Sequence, residues 1–211
     1  MEPIDERFIE YAEKFTESES KQIHELKKTT EAELEYSDMM SGRIVGSLLK
    51  LLIRLQKATS VLEVGAFVGY GTLNMAEALP DDGSITTIEY NERYIDIAKA
   101  NFKDSPDRKK IKLLEGEAEV ILKRLDETFD LVFLDADKAN YRTYIQQILP
   151  RLQPGGVLVI DNAYWKGGVW QADNEKSASI HATNQFVANH KQLEHLFLTV
   201  RDGFMIARKK L

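Results

Sequence analysis

Two apolar runs in this chain stop abruptly on oxygen-bearing side chains. Phe129–Leu134 passes straight into Asp135-Ala136-Asp137-Lys138, and Val157–Ile160 into Asp161-Asn162. Each run has the length and composition of a buried strand. If the two strands lie side by side, about 4.8 Å apart, Asp135 and the Asp161-Asn162 pair converge on one point. Carboxylate and amide oxygens with no Cys or His nearby suit a hard cation such as Mg²⁺ or Ca²⁺, whereas zinc would want nitrogen or sulfur. A lone carboxylate after a strand more often caps the next helix. Two such strand ends in succession, with a lysine between them, favour a site. Lys138 is then a candidate general base. Burial and a neighbouring cation would lower its pKa, while Asp135 and Asp137 would oppose that fall. The competing reading of Lys138 is a salt-bridged surface lysine.

A second group of residues follows an earlier apolar run, Val61–Val64. The chain reads Glu63-Val64-Gly65-Ala66-Phe67-Val68-Gly69-Tyr70-Gly71-Thr72. Glycines here let the backbone approach a ligand closely, and the next helix presents its N-terminal amides. A dinucleotide fingerprint wants G-x-G-x-x-G at this place, and Gly65, Gly69 and Gly71 do not match it. The next apolar run ends in Glu89, 24 residues after Gly65. A carboxylate there can accept both hydrogen bonds of a ribose diol. Nucleoside binding keeps its support; pyrophosphate binding loses it. After a third run, Glu115-Gly116-Glu117-Ala118 offers a small-residue turn against which an adenine ring can lie, though small residues also serve turns for their own sake.

The elements that must position these groups are set by the hydrophobic pattern. From Ser60 onward, short apolar runs alternate with longer amphipathic stretches: Val61–Val64, Ile85–Ile88, Ile111–Leu114, Leu131–Leu134 and Val157–Ile160, then Leu196–Val200 and Phe204–Ala207. Such alternation predicts an α/β fold with a doubly wound, mostly parallel sheet. Arg201-Asp202-Gly203 makes the last pair a hairpin, so the final strand is expected to run antiparallel. Ligands of such sheets bind beyond the carboxyl ends of the strands, near the topological switch point, where both residue groups lie. Residues 1–59 read as an N-terminal helical extension and 60–211 as the cofactor-binding core of one domain. Ile44, Leu48, Leu51, Leu52 and Leu55 form one stripe at helical spacing, expected to pack on that core.

The whole-chain properties bound the function. Length (211 residues), hydrophobic fraction (43%) and charged fraction (29%) are those of a globular protein. No run approaches a membrane span, and the acidic start Met1-Glu2-Pro3-Ile4-Asp5-Glu6 lacks a signal core. The absence of cysteine excludes disulfides and thiol chemistry and permits the cytoplasmic location we expect. A net charge of −6 argues against tight nucleic-acid binding. Arg108-Lys109-Lys110 reads as a solvated loop and Arg208-Lys209-Lys210 as a frayed terminus. His24, His181, His190 and His195 make no ligand pair and read as surface residues.

The chain resembles the cation-dependent O-methyltransferases, the family of the caffeoyl-coenzyme A and catechol enzymes, in its bacterial branch. The specific segments are Phe133–Tyr141 and Asp161–Val169, and the likeness extends from about Met39 to the C-terminus. The resemblance implies a Rossmann-like seven-stranded methyltransferase fold, S-adenosylmethionine as cofactor, and a homodimer. Glu63, Gly65, Phe67, Gly69, Gly71 and Thr72 would line the methionyl part of the cofactor, Glu89 its ribose, and Glu117 and Ala118 its adenine, with Asp135 and Asp137 close by. Asp135, Asp161 and Asn162 would hold the divalent cation, and Lys138 matches the lysine regarded as general base in the catechol enzymes. The family usually has Ser or Thr where Gly71 stands, so Thr72 would supply that hydroxyl or none is needed. The glutamine often found after the glycine of Gly42-Arg43-Ile44 is missing, and Asn189-His190-Lys191-Gln192 replaces an Asp-Pro-Arg motif.

The reaction implied by this resemblance is in-line transfer of a sulfonium methyl to one of two vicinal hydroxyls. Tyr164, Trp165, Trp170 and Met39-Met40 suggest a small planar aromatic acceptor; ordinary packing would equally account for them. Three rivals stand beside this reading. They are a tRNA hydroxyuridine O-methyltransferase of the same fold, a nicotinamide-dependent dehydrogenase, and a non-enzymatic adenosine-binding protein.

Overall fold

The computed structural model describes residues 6–211, and the acidic start Met1–Asp5 lies outside them. Three helices come first: α1 (Glu6–Phe15), α2 (Lys21–Glu33) and α3 (Gly42–Gln56). The charged stretch from Glu10 to Leu34 is divided between two of them, where Ser20 caps α2 by accepting from the Ile23 amide at 3.4 Å. Then strands and helices alternate: β1 (Ser60–Val64), α4 (Tyr70–Ala78), β2 (Ser84–Glu89), α5 (Glu92–Lys103), β3 (Ile111–Glu115) and α6 (Ala118–Arg124). They continue with β4 (Phe129–Leu134), α7 (Tyr141–Ile148), β5 (Leu152–Ile160), α8 (Glu175–Asn189), β6 (Leu193–Leu198) and β7 (Phe204–Lys209).

The seven strands form one sheet in the order β3-β2-β1-β4-β5-β7-β6. All pairings are parallel except those of β7, which runs antiparallel to β5 and to β6. The expected fold class, with its reversed last strand, is the one observed. Chain order reverses between β1 and β4, which is the switch point.

Burial is nearly continuous along the central strands because both faces are covered, with successive side chains turned to opposite sides. Leu62, Val64, Val132, Leu134, Leu158 and Ile160 meet α6, α7 and α8 on one face. Val61, Leu131, Phe133, Val157 and Val159 meet α3 and α4 on the other. Such side chains each contribute about 1.5–3 kcal/mol when fully buried, so the strand ends rest on a rigid platform.

Four expectations need correction. The buried face of α3 is Val45, Gly46, Leu49 and Ile53, while Leu51 and Leu55 point outward at 54% and 72% exposure. Gly46 decides this: a Cβ there would meet the Asn74 side chain of α4 at 2.7 Å, so the helices touch through that glycine. The C-terminal basic run is not frayed. Arg208 and Lys209 lie in β7, and the Lys209 ammonium donates to the carbonyls of Leu149 (2.9 Å) and Leu152 (2.7 Å). Lys110 is likewise structural, donating to the Leu79 carbonyl at 2.9 Å and pairing with Asp107 at 2.8 Å. Finally, β6 spans Leu193–Leu198 and not Leu196–Val200, while the turn falls at Arg201-Asp202-Gly203 as expected. Gly203 N donates to the Val200 carbonyl, and Arg201 (φ 49°) and Gly203 (φ 81°) take the left-handed conformations.

Candidate active site

The sheet's register carries the site. Val64 is paired with Ile88 and Leu134, and Leu134 with Ile160. The ladder then continues past the strand ends. Gly65 N donates to the Ile88 carbonyl (3.0 Å), Asp135 N to that of Val64 (2.9 Å), and Asp161 N to that of Leu134 (3.1 Å). Glu89, Gly65, Asp135 and Asp161 therefore stand in one row across β2, β1, β4 and β5, at the switch point.

On the β1 side, Gly65 has φ 102° and a Cβ there would run into the Asp135 carbonyl oxygen, so only glycine lets the two loops touch. Phe67 comes next with φ 50°, a costly conformation for an aromatic residue. It is held there by its own amide, which donates to Glu89 Oε2 at 2.8 Å, and by an edge-on contact with Tyr94 at 4.5 Å. Gly69 precedes α4, with the Phe102 ring occupying the space of a Cβ. Glu89 Oε1 accepts from the amides of Tyr90 (2.9 Å) and Asn91 (3.0 Å). Three amides thus aim this carboxylate, and a carboxylate has about four acceptor directions. Glu117 is exposed and Ala118 half-buried at the start of α6, beside the Gly116 turn.

Glu63 lies beneath this loop, at 1% exposure. It accepts from the Thr87 hydroxyl at 2.6 Å and, closer still, from Thr72, while a Cβ on Gly71 would run into its second oxygen. Burial pushes its carboxyl up to about 7; the two threonines oppose the shift, and the charges of Asp135 and Glu89 add to it. Thr72 is fully buried and spends its hydroxyl on Glu63. Glu63 and Thr72 are thus joined to each other and packed against Gly71.

On the β4–β5 side, the Lys138 ammonium contacts Asp135 Oδ1 at 2.6 Å and lies 5.2 Å from the centre of the Tyr141 ring. Burial lowers the pKa of Lys138, but Tyr141 and the Asp135 carboxylate outweigh it, and the ammonium is held above its ordinary value. The fall expected from the sequence is thus reversed in this structure, since Asp135 faces Lys138 directly. Asp137 is exposed and caps the turn after it, accepting from Ala139 N (3.3 Å) and Asn140 Nδ2 (2.7 Å).

Asp161 is 3% exposed, and burial together with the charge of Asp135 pushes its carboxyl up to about 7. Hydrogen bonding from Asn162 N (2.6 Å) and the charges of Arg201 and Lys138 partly offset this. Asn162 has φ 57°, and its Nδ2 donates to Asp202 Oδ2 at 3.2 Å. Among the described residues no cluster of three or more His, Cys, Asp or Glu side chains could hold a metal; the expected set contains only two carboxylates, with an amide as the third group. His24, His181 and His195 are exposed and His190 half-buried, scattered as the sequence suggested.

The aromatic candidates divide. The Tyr164 ring is wedged between Phe197 (4.8 Å) and Trp170 (5.8 Å), over Gly203, where a Cβ would meet it at 2.6 Å. Trp165 packs on the α6–α8 core, Met40 is buried beside Phe67 and Tyr70, and Trp170 and Met39 are exposed. Packing accounts for Tyr164 and Met40. Sequence reasoning missed Thr87, Tyr141 and Asp202, the residues that hold Glu63, Lys138 and Asn162. Thr87 alone had a local signal, being an inward polar residue two positions before Glu89.

Residues 12–210 match the family model described as O-methyltransferase. The chain belongs to the O-methyltransferase family. It is 34% identical to tricin synthase 2 of Oryza sativa subsp. japonica, over 90% of this chain and 70% of that protein. It is 29% identical to a caffeoyl-CoA O-methyltransferase of Stellaria longipes, over 90% and 84% of the two chains. A Podospora anserina methyltransferase solved with S-adenosylhomocysteine bound superposes with a TM-score of 0.91 at 28% identity, covering 100% of this chain and 99% of that one. The chain is thus an S-adenosylmethionine-dependent O-methyltransferase of the caffeoyl-coenzyme A type, as its motifs implied.

Proposed function

We propose that the chain methylates a hydroxyl of a small aromatic acceptor of the catechol or caffeoyl kind, with a divalent cation held by Asp135, Asp161 and Asn162. The observation that carries this reading is the row Glu89–Gly65–Asp135–Asp161. It sets a nucleoside-type carboxylate and an oxygen-rich corner on either side of one glycine loop. S-adenosylmethionine supplies the transferable methyl on a sulfonium. Glu89, aimed by its three amides, is placed to take the ribose, while Phe67 and the Gly65–Gly71 loop shape the path of the methionyl chain. Glu117 and Ala118 border the adenine.

The donor set fits a hard cation. The Asp135 charge adds to the cost of ionising buried Asp161, and Asn162 turns its NH₂ toward Asp202, leaving its oxygen as the free end. When bound, such an ion would polarise the acceptor hydroxyl and share the charge of Asp135. Lys138 sits against that same carboxylate. It is protonated here, and becomes a proton acceptor only where its pairing with Asp135 weakens. The negative net charge favours a small acceptor over tRNA. The test is a panel of catechols, caffeoyl esters and tRNA with labelled S-adenosylmethionine and Mg²⁺. Label on the aromatic compounds supports the reading, and label on tRNA alone overturns the acceptor class.

A further inference from the structure

The Asp-Gly turn between β6 and β7 does more than reverse the chain. Asp202 lies 40 positions from Asn162, yet its Oδ2 accepts from Asn162 Nδ2 at 3.2 Å. Its Oδ1 accepts from the Lys166 amide at 2.6 Å, its carbonyl from Tyr164 N at 2.8 Å, and the Gly203 carbonyl from Ala163 N at 3.0 Å. Four bonds therefore stitch the loop after β5 to this one turn. They span Asn162, whose φ of 57° asparagine tolerates better than most residues.

An asparagine amide is nearly symmetric in shape, and only its partners decide which end is oxygen. A carboxylate accepts and never donates. With Asp202 on one side, the NH₂ must face it, and the oxygen must face away.

We infer that Asp202 is a positioning residue that presents the carbonyl end of Asn162 to the cation site. The inference rests on the cation reading above but assigns Asp202 no contact with the ion. A partner that orients a ligand is worth about 10–100-fold in metal affinity.

The test is Mn²⁺ binding to the full chain, by calorimetry and without acceptor, in a double-mutant cycle. Asp202→Asn keeps the shape and, with its one oxygen on Lys166 N, turns an NH₂ toward Asn162, so it favours the flipped amide with the oxygen drawn away from the cation site. We expect it to weaken Mn²⁺ binding by about 10-fold. In an Asn162→Ala background there is no amide left to orient, and the same change should cost no more than about 2-fold. Asp202→Ala should show the same dependence on background, with melting curves confirming the fold. Unchanged affinity in Asp202→Asn overturns the inference alone. An equal loss in both backgrounds also overturns it, since that would mark a through-space charge effect. A wild type with no Mn²⁺ affinity overturns the cation reading as well.

Discussion

Glu63 and Lys138 show how far side-chain type predicts behaviour. Both were legible as members of a site, since each stands beside a strand end. The direction of their proton affinities was not, because it depends on partners far along the chain or on exact contact. Glu63 ordinarily titrates near 4.5, but buried it holds its proton up to about pH 7. The folded state therefore binds a proton that the unfolded chain releases. The associated stability is complete below about pH 4.5 and lost as pH rises through 7, a change on the order of 3 kcal/mol. Glu63→Gln should make the fall of melting temperature between pH 5 and 7 shallower, leaving the comparable slope that Asp161 contributes in the same sense. A slope identical to wild type would place the proton elsewhere. For Lys138, replacement by Ala should lower turnover by about 10²–10⁴-fold, with residual activity rising with pH and the cation requirement intact. A loss below about 3-fold would make it only the ion-pair partner of Asp135.

At the scale of elements, strand ends were the most readable feature. An apolar run that stops on a glycine or a carboxylate marks both the end of a strand and the start of a ligand loop, so Gly65, Glu89, Asp135 and Asp161 could be found in advance. What joins distant elements was hidden. The packed face of α3 is decided by one contact between Gly46 and Asn74, which no stripe of leucines reveals. The Asp202–Asn162 bond has no local trace either. Two changes test the loop. Glu89→Gln should weaken S-adenosylhomocysteine binding by at least about 10-fold in calorimetry, since it replaces an acceptor with a donor at the ribose. Equal binding would remove Glu89 from that role. Gly71→Ser would set its Cβ against the Glu63 carboxylate. It should cost about 1–3 kcal/mol in denaturant unfolding; an unchanged midpoint would mean that Glu63 yields freely.

On the scale of the whole molecule, no helix among the described residues is long and apolar enough to cross a membrane. Leu51 and Leu55 of α3 and Phe8, Tyr11 and Phe15 of α1 leave the helical extension with exposed apolar side chains on both helices. We propose that a second copy covers them about a two-fold axis. Light scattering at micromolar concentration should give a dimer mass, reduced to a monomer by Leu51→Glu with Leu55→Glu; a monomeric wild type would contradict it. Methyl transfer measured against cation concentration probes the oxygen-rich corner beside the cofactor loop. With labelled S-adenosylmethionine and a catechol acceptor, the wild type should lose its activity in EDTA and regain it with added Mg²⁺. Asp161→Ala should show a sharply reduced rate that excess Mg²⁺ partly restores. Full activity of the wild type in EDTA would contradict the account.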